Sequence, residues 1–126
     1  MKLLIIGGSG FLGGELTRRA PAAGYETAAT YSTRPPDTAG DVVRHSLDVR
    51  DPAQVTEVLA KVAPSVIVNA SSGNADWEIT AEGAVRVARA AAERGCRLVH
   101  VSSDAVFSTV ISGLCGLVAV QGFAAV

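Results

Sequence analysis

Apolar runs and amphipathic stretches alternate along the chain. Leu3 to Ile6 is wholly apolar, the pattern of a strand covered on both faces. Phe11 to Ala23 places Leu12, Leu16 and Ala20 four apart with Glu15, Arg18 and Arg19 between them, which predicts a helix closed by Gly24. Glu26 to Tyr31 predicts a second strand, Ser32 to Gly40 a loop carrying Pro35 and Pro36, and Val42 to Leu47 a weak third strand. Asp51-Pro52-Ala53-Gln54 predicts a helix start, with Asp51 as the N-cap, Pro52 at the first helical position and Gln54 completing a capping box. Val55, Val58, Leu59 and Val62 mark that helix's buried face, and Pro64 ends it. Val66 to Val68 predicts a fourth strand, Asp76 to Arg94 an alanine-rich helix stopped by Gly95, and Arg97 to Ser102 a fifth strand.

Strands alternating with helices imply an α/β fold. The expected architecture is a Rossmann-type, doubly wound parallel sheet of about five strands with helices on both faces. The division expected is a dinucleotide-binding Rossmann domain over 1–104, followed by an uncharged apolar tail over 105–126.

Gly7-x-x-Gly10-x-x-Gly13 lies where the first strand turns into the first helix, the place where such sheets bind ligands. Gly7 suits the tight turn, Gly10 a close approach to a pyrophosphate, and Gly13 close helix–sheet packing. Ser9, Phe11 and Leu12 add the turn and the first helical amides, which face a phosphate with a partial positive charge. The end of the second strand, Thr30-Tyr31-Ser32-Thr33-Arg34, has no carboxylate before Asp37 to meet a ribose 2′-hydroxyl. Arg34, assisted by Ser32, suits a 2′-phosphate, so NADP is favoured over NAD. Asp48 is placed to accept from an adenine amino group with Val49 on the ring face, or else is a turn residue. Asn69, Ala70 and Ser71 end the fourth strand beside the expected cofactor, and Asn69 also fits an ordinary strand-end hydrogen-bonding role.

"GGSGFLGGEL", "LDVRD", "VIVNAS" and "RLVHVSSDAVFS" together resemble the extended short-chain dehydrogenases/reductases, in the dTDP-4-dehydrorhamnose reductase-like, sugar-nucleotide-binding branch. The resemblance runs from residue 1 to Ser108. It implies a Rossmann fold, a nicotinamide cofactor and reduction of a keto-sugar nucleotide. It assigns Gly7, Gly10 and Gly13 to the phosphates, Asp48 and Val49 to adenine, Asn69 and Ala70 to the nicotinamide ribose side, and Ser103 to the substrate carbonyl.

The chain departs from that pattern. Ile6 replaces the usual threonine before the first glycine, and the segment from Ser71 to Thr80 is short. The family's proton donor is a tyrosine whose pKa, ordinarily about 10, is lowered by a lysine four residues on. The tyrosines here are Tyr25 and Tyr31 and the lysines Lys2 and Lys61, so Tyr-x-x-x-Lys is absent from the chain. Ala105 to Val126 has no charged residue and no proline. Three readings compete: a truncated or frame-shifted chain, which is favoured; a short cofactor-binding protein with a hydrophobic docking tail; and a membrane segment, whose hydrophobicity Ser108, Thr109, Ser112 and Gln121 dilute. An open apolar sheet edge would also favour self-association.

Composition narrows the classes further. Eleven Lys and Arg against twelve Asp and Glu give a net charge of −1, with no basic face for nucleic acid or membrane. Cys96 and Cys115 in apolar surroundings fit free thiols in a reducing cytoplasm. His45 and His100, lone residues in strands, make a metal site improbable. Trp77 suits the core better than a substrate cleft. The expected function is the NAD(P)-binding domain of a keto-sugar nucleotide reductase, able at most to bind cofactor. The alternative is a non-catalytic dinucleotide-binding regulatory module.

Overall fold

The computed structural model describes residues 1–32, 42–71, 82–101 and the backbone of 121–123. The elements run β1 (Lys2–Ile6), α1 (Phe11–Ala22), β2 (Glu26–Tyr31), β3 (Val43–Ser46), α2 (Pro52–Val62), β4 (Val66–Asn69), α3 (Gly83–Glu93), β5 (Arg97–His100) and β6 (Gln121–Phe123). They build one sheet in the order β3-β2-β1-β4-β5-β6. Pairs through β5 are parallel, as expected.

A sixth strand adds to the five parallel strands expected. Gln121–Phe123, from the uncharged tail, pairs antiparallel with β5, placing Gln121 opposite His100 and Phe123 opposite Leu98. An antiparallel edge strand on an otherwise parallel sheet is a common arrangement. The part of the long helix expected over Asp76–Arg94 that falls in described residues is α3, and Gly95 closes it at φ +66°.

The wholly apolar β1 has a direct explanation. Leu4 and Ile6 point into one core, with α2 (Val55, Val58, Leu59, Val62), α3 (Val87, Ala91), Ile67 and Leu98. Ile5 points into the other, with Ala20 and Ala29, and Leu3, Leu16 and Val68 pack against it. A strand with helices on both faces has no solvent face on which to alternate. Cys96 closes the larger core, its thiol donating to the Pro64 carbonyl at 3.1 Å, and burial pushes its pKa up.

β1 is the central strand between β2 and β4, where the order of the sheet reverses. The C-terminal ends of β1, β2 and β4 therefore converge at the place where open α/β sheets bind ligands.

Candidate functional site

The glycine turn leaves β1 at Gly7, whose φ is +83°. That conformation disfavours an L side chain, and a Cβ there would also stand 2.8 Å from the Ser71 backbone. At Gly13 a Cβ would collide with the Gly7 carbonyl oxygen, backbone against backbone. At Gly8 it would meet the Ala29 methyl at 2.7 Å. The fold itself demands these three glycines.

Gly10 is different. Its backbone is extended (φ −76°, ψ 176°), and a Cβ there would meet only the Gly7 oxygen at an ordinary 3.5 Å. Among the described residues, nothing intramolecular excludes a side chain, so the space over Gly10 is left open at the mouth of the turn.

Two buried threonines fix the turn's shape. The Thr30 side chain, 2% exposed, accepts the Gly7 N–H at 3.2 Å, and its own carbonyl accepts the Gly8 N–H at 2.8 Å. The Thr17 hydroxyl donates to the Gly13 carbonyl at 2.6 Å. Gly10 N–H closes the turn on Gly7 O at 3.1 Å, and Gly14 N–H bonds Gly10 O at 2.7 Å. The amides of Ser9, Phe11, Leu12 and Gly13 have no acceptor among the described residues, and Gly10 as N-cap supplies no side-chain bond. Phe11 is fully exposed and Leu12 partly so. The start of α1 is thus a set of free donors beside an open space, the arrangement that takes an anionic phosphate.

Neither threonine was singled out from sequence. For Thr30 the signal available was a polar β-branched residue at the C-terminal end of a buried strand, but its partner lies 23 residues away.

The rest of the site lies on adjacent strand ends. Ser32 is exposed just past β2. The Tyr31 carbonyl accepts the Leu47 N–H at 2.9 Å, which holds the turn after β3 beside it. In that turn the Asp48 carboxylate receives the Arg50 guanidinium, Nη2 to Oδ2 at 2.9 Å and Nε to Oδ1 at 3.0 Å, and also the Arg50 N–H at 2.9 Å. These bonds from Arg50 hold its pKa below the usual carboxylate value and keep it an acceptor. Val49, expected on an adenine face, is 6% exposed and its side chain packs into the larger core. What it turns toward a ligand is backbone, because the strand end continues the inward alternation.

Asn69 is 1% exposed, and its Oδ1 accepts both the Ser71 hydroxyl at 2.6 Å and the Ser71 N–H at 3.1 Å. It shapes the wall facing Gly7, while the Ala70 N–H bonds the Ile6 carbonyl at 2.8 Å. The structure therefore brings Gly7, Ser9, Gly10, Phe11, Leu12, Gly13, Asn69, Ala70 and Ser71 together and sets Ser32, Asp48 and Val49 beside the end of β2. Arg34, Ser103, Trp77 and Cys115 lie outside the described residues. His100 and His45 are half-buried in strands, and burial pushes the His100 pKa down. No group of His, Cys, Asp and Glu among the described residues could hold a metal. No described helix is long and apolar enough to cross a membrane.

A β1–glycine turn–α1 unit at the switch point of a parallel sheet defines a Rossmann-type α/β protein. Sequence comparison gives the family: the model of the RmlD substrate binding domain matches residues 1–112, so the chain belongs to that family, within the extended short-chain dehydrogenases/reductases. It is 31% identical over 116 residues to the dTDP-4-dehydrorhamnose reductase of Mycobacterium tuberculosis, covering 89% of this chain and 36% of that protein. The chain thus spans little more than a third of the curated relatives it matches. The UDP-glucose 4-epimerase of Thermus thermophilus, solved with NAD, superposes with a TM-score of 0.78 at 22% identity, over 90% of this chain and 42% of that one. A hypothetical dTDP-4-dehydrorhamnose reductase from Sulfolobus tokodaii gives 0.73 at 25% identity, over 93% and 46%.

Proposed function

We propose that this chain is the cofactor-binding part of a reductase that acts on a keto-sugar nucleotide and prefers NADP to NAD. The observation that carries the reading is the open space over Gly10 facing the unpartnered amides of Ser9, Phe11, Leu12 and Gly13. The free amides there complement the negative charge of a diphosphate. Adenine fits beside Asp48, whose ionised carboxylate accepts an exocyclic amino group. Ser32, with Arg34, supplies a neutral-to-cationic end of β2 for a 2′-phosphate. Asn69, Ala70 and Ser71 line the side toward the nicotinamide, and a bound nicotinamide dinucleotide supplies hydride. Ser103 is the group assigned to hold the sugar carbonyl.

Titration with NADPH and NADH, followed by nicotinamide fluorescence, tests binding. Saturable binding with NADPH the tighter ligand is expected. Gly10→Val should abolish it while leaving the circular dichroism spectrum unchanged, because the valine fills ligand space rather than protein space. Absence of saturable binding by the folded wild-type chain overturns the proposal. NADPH oxidation with a dTDP-4-keto sugar tests the reductase activity itself.

A further inference from the structure

The turn from Asp48 to Asp51 is braced more fully than a surface turn requires. Gln54, on the first turn of α2, accepts the Asp48 N–H on Oε1 at 2.9 Å and donates from Nε2 to Asp51 Oδ2 at 3.2 Å. The Asp48 carbonyl accepts the Asp51 N–H at 3.0 Å. A trans peptide aims its N–H opposite its carbonyl, so the Val49 N–H points away from the start of α2. It has no acceptor among the described residues. The Val49 carbonyl is held in turn by Arg86 Nη1 at 3.5 Å. The turn thus carries, on consecutive residues, one braced acceptor, the Asp48 carboxylate, and one donor, the Val49 N–H.

That pair matches one purine edge and opposes another. A 6-amino purine offers a donor at N6 and an acceptor at N1. A 6-oxo purine offers an acceptor at O6 and a donor at N1, so both contacts become repulsive. We propose that Gln54 is the positioning residue that makes this site select a 6-amino over a 6-oxo purine, by holding the Asp48 N–H directly and, through Asp51, the peptide that carries the Val49 N–H. The proposal rests on the dinucleotide reading above.

The test compares affinity for NADPH with that for nicotinamide hypoxanthine dinucleotide phosphate, reduced. The wild type should prefer NADPH roughly ten- to hundred-fold, the discrimination expected of a two-point hydrogen-bonded contact to a base edge. Gln54→Leu should weaken NADPH binding by most of that factor, leave the hypoxanthine analogue nearly unchanged, and so bring the ratio close to one. Gln54→Met carries the same comparison should the leucine variant fail to fold. Gln54→Glu keeps the acceptor for the Asp48 N–H but sets a second carboxylate against Asp51. It should lower stability and keep the ratio. Ala60→Gly, on the exposed face of α2, should lower stability by a similar amount with the ratio intact.

A wild-type ratio retained in Gln54→Leu or Gln54→Met overturns the role of Gln54 alone, as does a Gln54→Glu ratio that falls with the leucine variant's. A wild type that binds both dinucleotides equally overturns base selection at Asp48 and Val49. A folded wild type that binds neither overturns the dinucleotide reading itself, and this proposal with it.

Discussion

Adjacent glycines in α1 respond to opposite demands. A methyl at Gly13 would land on the Gly7 carbonyl oxygen, and neither backbone can yield without opening the turn. Gly13→Ala should cost about 2 kcal/mol or more in urea denaturation. A methyl at Gly14 would sit at an ordinary 3.6 Å from the Gly8 carbonyl. Gly14→Ala should therefore stabilise by about 0.5–1 kcal/mol, by removing glycine's backbone freedom from a helix interior. The motif register disclosed Gly7 and Gly13 from sequence, because their spacing reflects a shape the backbone must take. It did not disclose Thr30, whose hydrogen bonds depend on β2 arriving beside the turn, or Thr17, whose bond to the Gly13 carbonyl lies within α1 itself. Glu15 shows a residue effect with a pH signature. Hydrogen bonds from Arg18 and Arg19 lower its pKa from 4.5 to about 2. Its folded value lies below its unfolded one, so its ion pairs contribute above about pH 4.5 and fade as the pH falls toward 2. A carboxyl NMR titration of Glu15 should show its midpoint near that lower value.

The two described helix starts that follow strands β1 and β3 differ in a telling way. At α2 the Asp51 Oδ1 accepts the Ala53 N–H at 3.0 Å, with Pro52 at the first position. Asp51→Ala should cost about 1 kcal/mol, read as a lower thermal midpoint by circular dichroism. The capping box expected of Gln54 takes another form: its side chain reaches past its own cap to the Asp48 N–H. The cue Asp-Pro-x-Gln disclosed the helix start, because capping is local chemistry. The destination of the glutamine's oxygen was not legible, because it depends on how the preceding turn folds back. At α1 the N-cap is Gly10 and brings no side-chain bond. A helix that forgoes its own cap keeps its amides for something outside the chain, and here local stability is given up at the candidate site.

Across the molecule, the two cores are unequal. The larger gathers α2 and α3 on one face of the sheet, and the smaller lies on the other face with Ala20 of α1. Leu59, fully buried in the larger, should cost about 2–5 kcal/mol when cut to alanine, measured by urea denaturation. The parallel order was legible because apolar strands alternating with amphipathic helices admit few topologies. β6 was not, because an uncharged stretch carries no sign of which edge it joins or in which direction. Asp48 and Val49 were legible as a pair, yet the orientation of Val49 was not, since the sequence does not say which face of a strand end turns inward.

Thr30 and Thr17 tie the glycine turn with hydrogen bonds supplied by the chain itself. On the proposed function, an incoming diphosphate meets a surface whose order folding has already supplied. Capture should then be a single diffusive event, with an observed rate that rises linearly with ligand concentration and shows no plateau from a slow rearrangement.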